Sequence, residues 1–301
     1  MRDDLLARAR AVYQILCDEA PAIGLRELLE AVLGLKCSRV SVTRDGLERL
    51  EVLGRELGFG IAVADSKRIS TFHPGKGSWS DQASKYVPLD DPAEGLFAVY
   101  LASIPEDALT AREAEASMGD ESFGELLLIP ACCRRFYLER RTQALAAGDD
   151  YLWETIGDNL TSGVQPAGAN IVAQYFDRCL LSHFPCSLRC VASRQASSSR
   201  REIIAQVSRQ FSDYLAEGHS WSILVIRGKG MIAYPGAEVV NGSVAPRPGQ
   251  APEVIGEIPT EFIQPDLLFT DAKGYVVAEH DRQGRRIPGM DARLIAIGTE
   301  W

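Results

Sequence analysis

Four of the seven cysteines stand in two short segments whose neighbours suggest chemistry more readily than packing. "LIPACCRRF" sets Cys132 and Cys133 side by side just after Pro130. "HFPCSLRC" sets Cys186 and Cys190 four apart, with His183 three residues ahead of the first. Proline is favoured at the first position of a helix, so the adjacent pair is expected in a first helical turn. Unpaired backbone N–H groups and the positive dipole end there favour thiolate, the nucleophilic and metal-binding form of cysteine. If Pro185 opens a helical turn, Cys186 and Cys190 share one face. Two thiols from each segment make four soft ligands, the number taken by a tetrahedral zinc or a [4Fe–4S] cluster. His183 is a fifth candidate, as a ligand or as a group that orients one. Neither pair has the C-x-x-C spacing of a zinc ribbon. An odd number of cysteines with no secretory leader pattern argues against a disulfide framework, and the isolated Cys17, Cys37 and Cys179 read as core filling.

Between Ile129 and Arg209 ten arginines outnumber seven carboxylates, a locally basic stretch in a chain of net charge −9. Arg134, Arg135, Arg189 and Arg194 border the cysteines in sequence. Guanidinium groups bind carboxylate or phosphate bidentately, so these four are expected to hold a small anionic substrate. His73 and Lys76, in the loop "HPGKGS", are weaker substrate-loop candidates, and that segment lacks the full spacing of a phosphate-binding loop. Glu279, His280 and Asp281 gather acid–base groups where a hairpin end is expected, a place that exposes such residues routinely.

These side chains need elements to position them. Residues 2–20 and 24–34 carry apolar positions at helical period, broken at Pro21. "FGIAVADS" and "LFAVYLAS" read as strands, and the opening as a small α/β region ending near Pro105. The centre is helical through "ACCRRFYLERRTQALAAGDD", with further helices expected from about Ile171 to Ser182 and from a cap at Ser198 or Ser199 to Gly218. After Gly218 the period changes to two, and "WSILVIRGKGMIAYPGAEVV" reads as strand, glycine turn and strand. The expected class is α+β: an N-terminal α/β region over 1–105, a helical cysteine-motif region over 106–218, and a C-terminal antiparallel sheet region over 219–301.

With these motifs in view, the chain resembles a prokaryotic family of uncharacterised proteins that carries a P-x-CC-x-x-F segment and a later H-x-PCS-x-x-C segment. Here Pro130, Cys132, Cys133 and Phe136 match the first, and His183, Pro185, Cys186, Ser187 and Cys190 match the second. The glycine–tyrosine that precedes the proline in that family is Leu128–Ile129 in this chain. The resemblance covers about eighty central residues and implies that the two motifs form one unit, without naming a reaction. A vicinal pair followed by a spaced pair is also similar to the cysteine-rich repeats of heterodisulfide reductase-type proteins, which implies an iron–sulfur cluster. The glycine after the pair is missing here, and the second spacing is C-x₃-C.

The expected function is a cytoplasmic metal-binding enzyme, iron–sulfur ahead of zinc, performing redox, lyase or sulfur-transfer chemistry on a small anionic substrate. Two alternatives stay open: a non-catalytic module with a structural zinc and a partner-binding sheet, and a cofactor-free cysteine-thiol enzyme. The acidic balance, with a pI near 5.1, argues against nucleic acid and anionic membranes as partners. No apolar run approaches the roughly 18 residues of a membrane span.

Overall fold

The computed structural model of the chain describes residues 3–17, 24–70, 84–117, 120–147, 151–156, 164–227, 229–256, 258–263, 265–270, 276–280, 283–286 and 292–297. Two units emerge from its contacts. One comprises Met1–Thr71, Ser84–Leu138 and Arg200–Asp213, the other Phe72–Ala83, Glu139–Ser199 and Tyr214–Trp301.

In the first unit, helices α1 (Asp3–Leu16) and α2 (Leu25–Val32) precede β1 (Ser38–Val42), α3 (Arg44–Leu57), β2 (Gly60–Ser70), β3 (Ser84–Pro88), β4 (Leu96–Ala102), α4 (Pro105–Ala116) and α5 (Asp120–Leu126). The strands pair antiparallel in the order β1-β4-β2-β3. Local chemistry fixes the ends of α3. The Thr43 hydroxyl accepts the Gly46 N–H at 3.3 Å, and Gly58, at φ +68°, donates back to the Gly54 carbonyl. That left-handed stop is one that glycine adopts without steric cost. The apolar run of β4 is buried at every residue after the first, as an inner strand requires. Helix α2 is buried nearly all round and carries Glu30 into the interior. Glu30 meets Lys36 Nζ at 2.9 Å and Arg200 Nε at 3.0 Å, while Arg26 pairs with Glu27.

The helical middle continues with α6 (Ala131–Ala147), α7 (Leu152–Ile156), a 3₁₀ turn (Ile171–Phe176), α8 (Val191–Val207) and α9 (Arg209–Gly218). Two expected helices differ from those found. The one expected from Ile171 to Ser182 ends as a 3₁₀ turn at Asp177, which takes a left-handed φ of +56°. Beyond it the chain is irregular, and side chains satisfy its backbone. His219 Nε2 accepts the Leu180 N–H at 2.7 Å, and Cys179 Sγ accepts the Leu181 N–H at 3.3 Å. The helix expected from Ser198 instead starts at Val191 and stops at Ser208, whose hydroxyl accepts the Phe211 N–H and restarts the chain as α9. Two serines inside α8, Ser193 and Ser197, are buried and find partners, Ser193 Oγ beside His183 Nε2 and Ser197 Oγ at the Gly168 carbonyl, 2.5 Å away.

The C-terminal end is antiparallel sheet, in two layers. Strands β5 (Ser222–Ile226), β6 (Gly230–Tyr234), β9 (Glu253–Gly256) and β13 (Ala292–Ile295) form one sheet in the order β13-β5-β6-β9. Strands β7 (Glu238–Val240), β8 (Ser243–Ala245), β10 (Leu267–Thr270), β11 (Val276–His280) and β12 (Gln283–Arg286) form the other, in the order β12-β11-β10-β8-β7. Every residue of β5 and β6 is buried. Period two sorts them: Ile223, Val225, Met231 and Ala233 pack with Leu152, Ile171, Phe176 and Trp221. Leu224, Ile226, Ile232 and Tyr234 pack with Val244, Leu268 and Ala278 of the second sheet. The first sheet is therefore a middle layer, which explains its unbroken apolar strands. No helix among the described residues is long and apolar enough to cross a membrane.

Candidate metal centre

The first cysteine pair is set by the turn before it. Leu128 takes φ +51°, and the Ile129 N–H reaches back to the Gly124 carbonyl at 2.9 Å. Arg134 closes this turn, with Nη1 donating to the Ile129 carbonyl at 3.0 Å and Nη2 pairing with Glu125 Oε1 at 2.8 Å. A Cβ on Gly124 would come within 2.7 Å of Arg134 Cδ, so the glycine leaves room for the arginine stem. Helix α6 then opens at Ala131, one residue after Pro130, whose carbonyl accepts from the N–H groups of Cys133 and Arg134, so the proline caps the helix and both cysteines fall in its first turn. Cys132 is exposed and Cys133 is 1% exposed, with their sulfurs 3.8 Å apart.

The second pair lies in an irregular segment pinned from several sides. Thr155 Oγ1, on α7, donates to the Pro185 carbonyl at 2.9 Å, directly before Cys186. His183, 6% exposed, has Nε2 2.9 Å from Ser193 Oγ in the first turn of α8. Arg189 Nε donates to Gln165 Oε1 at 3.0 Å, and Gln165 is itself bound to the sheet through its N–H and the Ala296 carbonyl. The turn closes from the Cys190 N–H to the Ser187 carbonyl, and the Cys190 carbonyl accepts the Arg194 N–H. The helical turn expected from Pro185 is thus replaced by a turn ending at Cys190, which stands at the head of α8. Thr155→Val leaves a buried carbonyl without its donor and is expected to cost about 1–3 kcal/mol. Urea titration of the variant beside the parent measures this; an unchanged midpoint would remove Thr155 from the support of Cys186.

The ligand atoms of Cys132, Cys133, Cys186 and Cys190 all lie within 4.8 Å of one another. All seven cysteines are thiols rather than disulfides. The four form a group that could hold a metal ion. Cys133 and Cys190 are buried, Cys186 is half-buried and Cys132 faces solvent. His183 is not among the converging atoms; its Nε2 lies 2.9 Å from Ser193 Oγ. Of the four arginines expected around an anionic substrate, Arg134 and Arg189 spend their guanidinium groups on the backbone and side chains named above. Arg135 is exposed, and Arg194 is half-buried one turn into α8. His73, Lys76 and Asp281 lie outside the described residues, and Glu279 and His280 end β11.

Thr155, Gln165 and Ser193 support the cysteine segments. Ser193 had a detectable signal. Cys190, Ser193, Ser197, Arg200 and Ile204 recur at steps of three and four and are all buried. The stripe is polar, so it does not read as a core face. Compared with protein-family models, curated proteins and solved structures, the chain matches none.

Proposed function

We propose that the protein is a metal-dependent enzyme with one thiolate-bound ion, held by Cys132, Cys133, Cys186 and Cys190, that acts on a small anionic molecule. The spacing of the sulfurs carries this reading. A zinc–sulfur bond of about 2.3 Å gives a tetrahedral S···S edge of about 3.8 Å. Cys132 and Cys133 stand at 3.8 Å, and the whole set falls within 4.8 Å. A four-iron cube carries its cysteine sulfurs on separate irons at its corners, farther apart than ligands round one ion. The spacing therefore favours a single ion, zinc by its thiolate ligands, over the cluster expected from the motif analogy. Exposure supports a reactive centre over a staple: Cys132 is open to solvent. A zinc held by all four thiolates would have no open position for Lewis-acid work; it would keep the thiolates deprotonated and so leave the solvent-facing Cys132 sulfur available as a nucleophile. The resemblance to a family that carries both motifs supports treating them as one site.

Elemental analysis and an absorption spectrum of protein purified without oxygen test this. One zinc per chain and no visible band agree with it. Iron with sulfide and a broad visible band would put a cluster in its place, and metal-free protein would sink it. Cys132→Ser then separates enzyme from staple. A reactive centre predicts a folded variant that retains metal, and a staple predicts loosening as severe as that of the buried ligands.

A further inference from the structure

The four sulfurs are placed for chemistry with one another as well as with an ion. All four are thiols within 4.8 Å of one another, and they differ in access: Cys132 faces solvent, Cys186 is half-buried, and Cys133 and Cys190 are enclosed. An oxidant in solution therefore reaches Cys132 first. Cys133 is its neighbour in sequence, with the sulfurs 3.8 Å apart. Adjacent Cα atoms in a helix are only about 3.8 Å apart, however, short of the roughly 4.4–6.8 Å that a disulfide spans. The backbone of this pair is also fixed, through the Cys133 and Arg134 N–H groups on the Pro130 carbonyl. Cys190 is buried at the head of α8, its carbonyl accepting the Arg194 N–H. Cys186 stands outside any helix, between a Pro185 carbonyl held by Thr155 and a Ser187 carbonyl held by the Cys190 N–H. Its backbone is anchored on both sides, and only its side chain needs to turn. One change of staggered rotamer carries a cysteine sulfur about 3 Å, enough to bring sulfurs at such a separation to the roughly 2 Å of a disulfide.

We propose that Cys132 and Cys186 form a reversible redox pair, joined as a disulfide by a hydroperoxide such as hydrogen peroxide. The Cys132 thiolate attacks one peroxide oxygen, becoming a sulfenic acid as the O–O bond breaks and hydroxide leaves. The Cys186 thiolate then attacks the Cys132 sulfur and expels the second hydroxide. Two thiolates thus give up two electrons, and the peroxide is reduced to two hydroxide ions. A thiolate ligates metal and a disulfide does not, so the oxidised group keeps only the thiolates of Cys133 and Cys190. Two ligands do not complete a tetrahedral zinc site, and the ion leaves. A dithiol reductant reverses the step by thiol–disulfide exchange. Release of the ion, and the loss of activity with it, rests on the proposed metal-dependent enzyme, whereas the disulfide needs only the convergent thiols.

The test treats the full chain, reduced and then freed of reductant, with hydrogen peroxide in small excess at neutral pH. Intact mass should fall by two hydrogen atoms, peptide mapping should join Cys132 to Cys186, and dithiothreitol should restore the parent mass. A colorimetric zinc chelator should report release in step with the disulfide. Cys132→Ser should slow disulfide formation about tenfold or more, since the remaining sulfurs of the group are shielded from the oxidant. Cys186→Ser should leave Cys132 as a sulfenic acid that dimedone captures. Cys17→Ser, at a half-buried thiol outside the group, should change nothing. The same disulfide in protein that holds no metal upholds the redox pair while the metal reading fails, and zinc retained by the disulfide form overturns the release step. A disulfide between any other two cysteines, Cys132 oxidised only to a sulfinic acid, or an unchanged mass overturns the pair.

Discussion

Under the proposed four-thiolate centre, Cys133→Ser is expected to release the metal and to lower the melting temperature more than substitution of Cys17, Cys37 or Cys179 does. Cys133 is fully enclosed, so its loss removes a thiolate from an ion that solvent cannot easily compensate at that position. Structural zinc in small domains binds with about 10–16 kcal/mol of apparent free energy, and a large share of that is forfeited when one of four thiolates is lost. Calorimetric melting with and without chelator, alongside metal content per chain, measures the effect. Cys179→Ser is the control. Cys179 is buried and bonds the Leu181 N–H, but it lies outside the converging set. It should keep full metal occupancy at a modest cost in stability. A Cys133→Ser protein with full metal and an unchanged melting temperature would falsify the four-thiolate centre.

The second large effect lies far from the cysteines in sequence. Glu30 is wholly buried, with Lys36 and Arg200 on its two oxygens. Burial alone would raise its pKa, but the charges of Lys36, Arg200 and Arg26 outweigh burial and hold the carboxyl at about 2. Lys36 shows the other side of the same crowding. Burial lowers it, Glu30 raises it, and Arg200 with Arg26 lower it further, to about 8. One carboxylate shared among cations stays ionised, and lysine is the one of those cations able to shed its proton near neutral pH. Glu30→Gln removes the shared anion and leaves buried cations uncompensated. A loss of about 3–5 kcal/mol is expected, the usual consequence of breaking a buried pair from one side. A chemical-denaturation midpoint equal to that of the parent would show the cluster to be dispensable.

The same cluster gives the stability of the chain a pH dependence of known sign. Glu30 has a folded pKa below its ordinary value, so its contribution is complete above about 4.5 and is lost as pH falls toward about 2. Lys36 has a folded pKa below its ordinary 10.5. Between about 8 and 10.5 the unfolded chain holds the proton that the fold has shed, and stability on this account rises with pH. Lys36→Met should flatten the alkaline rise when denaturation free energy is followed against pH. A rise of the same size in that variant would assign the effect to other groups.

Legibility of the fold from sequence followed how local its causes are. Thr43 and Gly58 mark the ends of α3 by their own chemistry, and Pro130 announces the start of α6. The unbroken apolar runs of β5 and β6 announce strands, and these carry the antiparallel end. The start of α8 was hidden because its buried stripe carries Ser193, Ser197 and Arg200, residues that read as solvent-facing until their partners are known. Glu30, Lys36 and Arg200 are separated by up to 170 residues, and each alone looks like a surface charge.

The same division holds for the site. Sequence by itself determined which thiols stand beside a proline and a helix start, because those preferences act within a few residues. It also determined the class of the fold, since periods of 3.6 and two are written along the chain. Only tertiary structure decided that Cys132, Cys133, Cys186 and Cys190 share one place, that Arg134 bonds the Ile129 carbonyl and Arg189 the Gln165 side chain, and that Arg227 and Arg293 meet at Trp153. Those outcomes depend on which distant groups fill each other's hydrogen-bonding and charge requirements, and spacing along a chain carries no record of distance across it.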